Sequence, residues 1–177
     1  MRLAYTEKNR NAEAYCFMRN SLAMNYSRLM RFVPEAAAIV QGSRKYSTVY
    51  GVVKFYQTKR GVFIVADITG LKEESSFFGF HIHEGGSCRA NEDDPFFYTG
   101  MHYNPKSTPH PYHAGDLPPL LSANGSAFSA FLTNRFTVDE ILGKTIVIHS
   151  SADDFTTQPA GSSGEKIACG EISRTRR

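Results

Sequence analysis

Residues 46–70, YSTVYGVVKFYQTKRGVFIVADITG, contain two runs of β-branched and aromatic side chains separated by a short polar turn. Side chains of these types favour extended strands, and each run is bounded by residues that are common in turns. Lys59 and Arg60 are followed by Gly61, which fits a hairpin turn because glycine accepts the backbone angles that such turns need. The segment therefore predicts an antiparallel β-hairpin.

Short strands are also predicted on both sides of this hairpin. They are AAAIVQG (36–42), FGFHIHE (78–84), LSANGSAFSAFLT (121–133, with a turn at Asn124-Gly125) and two final strands at 144–149 and 166–172. Residues 138–142 suggest one short helical turn. Since there is almost no other helical pattern, we predict an all-β fold, an antiparallel sandwich or barrel. Residues 85–120, rich in Gly, Pro, Asp, Asn and His, form a long loop, and such loops usually carry function.

The length and composition fit one domain. The chain has 177 residues, 41% of them hydrophobic and 12% aromatic, which excludes a disordered chain. No apolar run approaches the roughly 18–20 residues that a membrane helix needs, so we expect no membrane span. The formal net charge of +3 is too small to indicate a nucleic-acid partner.

Residues 1–35 differ from the rest, since they hold four of the five methionines and a net charge of +3. We interpret them as a basic extension that is weakly ordered or partly helical across 12–32. A membrane-surface or partner helix is one alternative. Another is a start codon assigned too early, because Met18, Met24 and Met30 offer later starts. The first residues lack the apolar core of a secretory signal, so we expect a cytoplasmic location.

The remaining charge separates by segment. The basic tail, residues 174–177, carries three arginines, whereas the body, residues 36–173, has 11 Lys and Arg against 14 Asp and Glu. The predicted domain is therefore mildly acidic, and the positive net charge of the whole chain comes from its two ends.

Histidine is the most unevenly distributed residue: all six lie between His81 and His149. His81 and His83 alternate on a predicted strand, so they share one face with about 7 Å between them along the backbone. His110, His113 and Asp116 follow at intervals of three, a spacing that can wrap a tetrahedral ion. Six imidazoles and one carboxylate suffice for two ions if one ligand is shared. An all-nitrogen set favours copper, and a set with a carboxylate favours zinc.

Several segments in this order resemble the copper/zinc superoxide dismutase family. They are GFHIHE (79–84), MHYNP (101–105), HAGDLP (113–118), IHSSADD (148–154) and ACG (168–170). The resemblance covers about residues 36–172. It implies an eight-stranded Greek-key antiparallel sandwich or barrel with long metal-binding loops. The two residues between His110 and His113, and the brief segment 155–165, look most like the short-loop bacterial forms.

The resemblance also implies the ligand sets. Copper would be bound by His81, His83, His102 and His149, and zinc by His102, His110, His113 and Asp116. His102 would then bridge the two ions, and Asp153 would link one copper histidine to one zinc histidine. Cys88 and Cys169 would form a disulfide, whereas Cys16 has no family counterpart and is expected to be a free thiol.

The activity implied by the resemblance is that of an antioxidant oxidoreductase. It would disproportionate superoxide to O₂ and H₂O₂ at the copper site that His102 bridges to zinc. Lys166 stands where the family usually has an arginine; it keeps the positive charge that attracts the anion but loses the bidentate fork. We therefore treat His102 and Lys166 as the catalytic residues.

Two other functions stay open on the sequence alone. One is a non-enzymatic member of the same fold that binds copper or zinc. The other is an interaction module whose basic ends bind an acidic partner. The oligomeric state is also open, with a homodimer among the expected assemblies.

Overall fold

The computed structural model describes residues 33–72 and 76–176. This part of the chain contains ten strands and one short α-helix, joined by loops. The strands are β1 (Ala36–Gly42), β2 (Tyr50–Thr58), β3 (Gly61–Thr69), β4 (Ser76–Phe78), β5 (Phe80–His83), β6 (Leu120–Ser122), β7 (Ser126–Thr133), β8 (Thr145–His149), β9 (Lys166–Glu171) and β10 (Ser173–Arg174). The helix α1 (Val138–Ile141) lies between β7 and β8.

The hairpin expected from residues 46–70 is formed by β2 and β3, which pair antiparallel along their whole length. Its turn closes at Gly61, where φ is +130°, a value that side-chain-bearing residues rarely adopt. The first strand starts at Tyr50 rather than at Tyr46. Arg44–Tyr46 form a 3-10 turn instead, and the Val49 N–H donates to the Tyr46 carbonyl at 2.9 Å, which holds this stretch out of the sheet.

Eight of the described strands form one antiparallel sheet in the order β5-β8-β9-β1-β2-β3-β7, with β10 pairing with the start of β1. β4 and β6 form a separate two-stranded sheet. The neighbours β1 and β9, β3 and β7, and β5 and β8 are distant in the chain, as Greek-key connections require. The predicted all-β Greek-key sandwich is confirmed, although the short strands β4 and β10 were not expected.

Strand β5 separates the hydrophobic core from the histidines. Phe80 and Ile82 are completely buried in the main apolar cluster, where Ile146 and Ile148 of the neighbouring β8 also lie. Because side chains alternate along a strand, His81 and His83 point to the other face. Those two imidazoles are buried as well, which places a polar cluster behind the core.

The disulfide Cys88–Cys169 joins the segment after β5 to strand β9, with the two Cα atoms 5.7 Å apart. Phe96 and Val147 pack around it in a small second cluster, and the Cys88 N–H donates to Glu171 Oε1 at 3.0 Å. The implied pairing is confirmed. Cys16, expected to be a free thiol, lies outside the described residues.

The two ends of the chain are described in part. The predicted extension lies outside the described residues up to position 32, and regular pairing begins where the Glu35 N–H donates to the Phe55 carbonyl. At the other end, Arg174 belongs to β10 and its guanidinium is 2.6 Å from Asp139 Oδ1. Residues 33–72 and 76–176 contain no helix with the length and hydrophobicity of a membrane span.

Candidate metal centre

One group of ligand atoms comes from four buried histidines. β5 contributes His81 and His83, the end of β8 contributes His149, and an isolated bridge to His83 brings in His102. One ring nitrogen from each lies within 4.8 Å of those of the others. The four side chains that the sequence assigns to copper are therefore brought together.

A second group comes from the long loop between β5 and β6. It consists of His102, His110, His113 and Asp116, whose ligand atoms also lie within 4.8 Å of one another. The Asp116 carboxylate lies 2.8 Å from His102 Nδ1, 3.1 Å from His110 Nδ1 and 3.2 Å from His113 Nδ1. An isolated bridge between His81 and Asp116 places this loop beside β5. The four side chains assigned to zinc are therefore also brought together.

His102 belongs to both groups. Its Nδ1 faces Asp116 in the second group, while Nε2 is buried without a hydrogen-bond partner on the side of the first group. The ring centroids of His102 and His81 are 4.0 Å apart. One imidazole thus offers one nitrogen to each group, which is the arrangement that a bridging ligand needs.

Asp153 connects the two groups from outside. Its Oδ2 accepts a hydrogen bond from His81 Nε2 at 2.8 Å, and its Oδ1 accepts one from His110 Nε2 at 2.9 Å. Since a carboxylate only accepts, both Nε2 atoms carry the proton and both Nδ1 atoms are left as lone-pair donors. The role that the sequence assigned to Asp153 is compatible with this geometry.

Two carbonyl groups orient the other copper-side histidines in the same way. His83 Nδ1 donates to the Gly100 carbonyl at 2.9 Å, and His149 Nδ1 donates to the Gly164 carbonyl at 3.3 Å. The Nε2 atoms of these two rings then face each other at 3.2 Å. Two lone-pair nitrogens this close repel unless a cation lies between them.

The donor sets fit two bound cations. Four buried ring nitrogens among the described residues have no hydrogen-bond partner, and buried polar atoms are otherwise almost always paired. They are His81 Nδ1, His102 Nε2, His110 Nδ1 and His113 Nδ1. Four imidazole nitrogens suit copper, and three imidazoles with one carboxylate suit zinc.

Burial and hydrogen bonds together set the protonation states of the histidines and of Asp153. It lowers the pKa of His83 far below the usual value and that of His149 to about 3, so both rings are neutral at pH 7. Burial alone would raise the pKa of Asp153, but hydrogen bonds from His81, the Phe155 N–H and His110 outweigh it and lower that pKa to about 2. Neutral imidazole is the form that binds metals, and an ionised Asp153 carboxylate is the form that accepts a hydrogen bond from both His81 and His110.

Lys166 lies at the start of β9, directly opposite His149 in the sheet register. Its ammonium donates to Asp94 Oδ2 at 2.6 Å and to the Phe96 carbonyl at 3.2 Å. Both charged side chains are partly buried, so solvent screens this ion pair less than it would screen a fully exposed one. The sequence predicted a cation here but missed Asp94, because one acid within the run Glu92-Asp93-Asp94 carries no local signal.

Gly161 was also missed, although it lies against the residue that connects the two groups. Its φ is +71°, and a Cβ atom built at this position would collide with Asp153 Oδ1 and His110 Nε2. Only glycine therefore leaves room for the Asp153–His110 hydrogen bond. Residues 159–164 are rich in turn-forming residues, but this composition does not show which glycine lies against the site.

The comparisons with known proteins agree with this geometry. The sequence model of the family described as copper/zinc superoxide dismutase matches residues 49–172. A Cu-Zn superoxide dismutase of Photobacterium leiognathi is 36% identical over 136 residues, covering 69% of this chain and 78% of that protein. One from Deinococcus radiodurans is 34% identical over 140 residues, covering 69% and 76%. The solved Cu/Zn superoxide dismutase of Brucella abortus has a similar fold, with a TM-score of 0.67 at 24% identity over 77% of this chain and 99% of that one.

Proposed function

The chain belongs to the copper/zinc superoxide dismutase family, and we propose that its two ligand groups are the copper and zinc sites of that enzyme. The reaction combines two superoxide ions and two protons to give O₂ and H₂O₂. His81, His83, His102 and His149 would hold copper, which supplies one-electron redox chemistry when bound. His102, His110, His113 and Asp116 would hold zinc, which supplies a fixed charge without redox chemistry.

The observation that carries this proposal is the position of His102 in both groups. Because Nδ1 would be the zinc ligand, Nε2, the nitrogen that faces the first group, is the atom at which this ring could take up or release a proton. Peroxide formation consumes protons, so a ring that accepts and releases one at this atom serves the reaction. Each of the ligand positions carries the histidine or aspartate that the family's two sites need, which favours the enzyme over a non-enzymatic metal-binding relative.

Reconstitution tests the proposed function directly. The full chain loaded with copper and zinc is expected to consume superoxide, whereas the metal-free chain is not. Metal content should approach one copper and one zinc per chain, measured by elemental analysis beside the rate of superoxide decay. A fully loaded chain that leaves superoxide decay unchanged would support the non-enzymatic alternative instead.

Lys166 is the proposed source of attraction for the anionic substrate. Burial is the main reason that the pKa of His149 is lowered, and the charge of Lys166 adds to that lowering after the charges of His81 and His102. Because the body of the chain is mildly acidic, a local positive charge matters more than the total. Asp94 partly neutralises that charge, so the attraction should be weaker than an unpaired lysine would provide.

Charge reversal at this position, Lys166→Glu, is expected to lower the bimolecular rate constant more than tenfold at low ionic strength, where the field of the protein is least screened. The loss should shrink as salt is added. Pulse radiolysis over a range of ionic strengths measures both effects. Lys59→Glu, the same charge change in the exposed β2–β3 turn, is the matched control and should change the rate little.

Asp94→Asn tests the same electrostatics with the opposite sign. Removing the acid that pairs with Lys166 should raise the rate constant at low ionic strength, by about two- to threefold for one unit of nearby charge.

An unchanged rate in Lys166→Glu would exclude Lys166 from substrate attraction.

A second copy of this chain is the proposed protein partner. Phe77 of β4 and Leu121 of β6 are opposite each other in the two-stranded sheet, and each is about half exposed. Contiguous exposed apolar surface marks interaction sites, and this adjacent pair is where we place the start of such a surface. The mildly acidic body supports no nucleic-acid partner.

A further inference from the structure

Three zinc-side ligands lie in residues 110–116, a segment of the long loop between β5 and β6. Only Pro111 and Tyr112 separate His110 from His113. Within this segment, the Asp116 N–H donates to the His113 carbonyl at 3.3 Å and the His113 N–H donates to Asp116 Oδ2 at 3.0 Å, while the Tyr112 N–H donates to the Pro109 carbonyl at 2.9 Å. Among the described residues, the His110 N–H and the carbonyls of His110 and Asp116 find their partners only in side chains from outside this segment, which support it.

Arg135 supplies one such support from the end of β7. Its Nη1 atom lies within hydrogen-bonding distance of three backbone carbonyls of the loop: 3.2 Å from Pro111, 3.1 Å from His113 and 3.0 Å from Asp116. Two of those carbonyls belong to ligand residues. Hydrogen bonds from a charged donor are about twice as strong as neutral ones, so this guanidinium fixes the backbone at both ligands.

Gln158 supplies a second support from the segment after β8. Its Nε2 donates to the His110 carbonyl at 2.7 Å, and its Oε1 accepts from the His110 N–H at 3.0 Å. This two-point pairing satisfies both backbone groups of one ligand residue. Arg135 and Gln158 together therefore contact the backbone of all three ligands in residues 110–116.

We propose that Arg135 and Gln158 are positioning residues that preassemble the zinc ligands by holding the backbone of residues 110–116 in place. The inference rests on the proposed function, because it takes the second group to be a zinc site. Binding costs less when the ligands are already ordered, and residues that orient metal ligands typically change metal affinity by 10- to 100-fold. Neither side chain touches the ligand atoms themselves.

Zinc affinity of the full metal-free chain tests this inference without any use of activity. Arg135→Met and Gln158→Leu keep similar side-chain volume but remove the donors. Each is expected to weaken zinc binding about tenfold, measured by competition with a chromophoric chelator. Arg135→Lys keeps a charged donor and should retain most of the affinity. Arg60→Met, in the exposed β2–β3 turn, is the matched control and should bind zinc as the unaltered chain does.

The absorption spectrum of Co²⁺ bound in place of zinc gives a second readout. Tetrahedral Co²⁺ absorbs strongly in the visible range, and we expect this band to broaden or weaken in Arg135→Met and Gln158→Leu. A general loss of stability would instead lower the melting temperature of the metal-free variants and leave the spectrum unchanged. That result, or wild-type zinc affinity in both variants, would overturn the inference.

The outcome is separable from that of the proposed function. Unchanged zinc affinity in the variants would remove the positioning role and leave a dismutase with both sites intact. A loaded wild-type chain that does not consume superoxide would contradict the function, while the zinc affinities would still decide the roles of Arg135 and Gln158.

Discussion

Replacing His102 with alanine is expected to lower the rate of superoxide consumption by roughly 100-fold or more. The substitution removes one ligand from each metal group, since His102 is the one residue among the described positions that both groups contain. It also removes the ring that can hold a proton at Nε2. General acid and base groups alone typically contribute 10²–10⁴-fold to a rate.

His113→Ala is the matched control for that substitution, because it also removes one buried imidazole but only from the zinc group. It should lower zinc content while leaving the four proposed copper ligands in place, with a smaller loss of rate. Copper and zinc content are measured for both variants together with superoxide decay. Equal rates in the His102→Ala variant and the unaltered chain would contradict the bridging role.

Asp153→Asn is expected to weaken the binding of both metals by up to about 100-fold. The carboxylate accepts from His81 Nε2 and from His110 Nε2 with its two oxygens. An amide has one oxygen and one NH₂ group, so one imidazole N–H would face another donor. That ring must then move its proton to Nδ1, which takes away the lone pair that the metal needs.

Asp154→Asn provides the control, since this neighbouring carboxylate is exposed and contacts Thr156 and Thr157 rather than a histidine. Its metal affinity should equal that of the unaltered chain. Chelator competition measures both affinities, and nitrogen NMR of the imidazoles identifies which ring nitrogen carries the proton. If Asp153→Asn keeps both Nε2 protons and both affinities, the linking role of Asp153 is wrong.

The sequence predicted those parts of the molecule that depend on local periodicity. Alternation in FGFHIHE placed His81 and His83 on one buried face, and the hairpin turn at Gly61 is where the pattern put it. Spacing also indicated that two ions could share one ligand. The individual ligand assignments came from the resemblance to a family, because six similar histidines do not distinguish themselves by spacing alone.

The supporting contacts could not be predicted in this way. Arg135 reaches carbonyls 19 to 24 positions away, Gln158 contacts a residue 48 positions away, and Asp94 pairs with a lysine 72 positions away. Such contacts depend on how loops pack in three dimensions. The sequence pattern does not show which backbone carbonyls will accept hydrogen bonds from distant side chains. Charged and amide side chains in loops are usually solvated, so nothing in their type marked these three.

The bond between Cys88 and Cys169 also affects the unfolded polypeptide. It joins positions 81 apart, and in the loop-closure account a cross-link of this span lowers the entropy of the unfolded chain enough to stabilise the native state by about 4–5 kcal/mol. Reduction would therefore raise the unfolded fraction about a thousandfold, since 1.4 kcal/mol corresponds to a factor of ten. Ions that bind only the folded chain oppose that shift by mass action. In a reducing compartment, the persistence of the folded protein would then depend on metal supply.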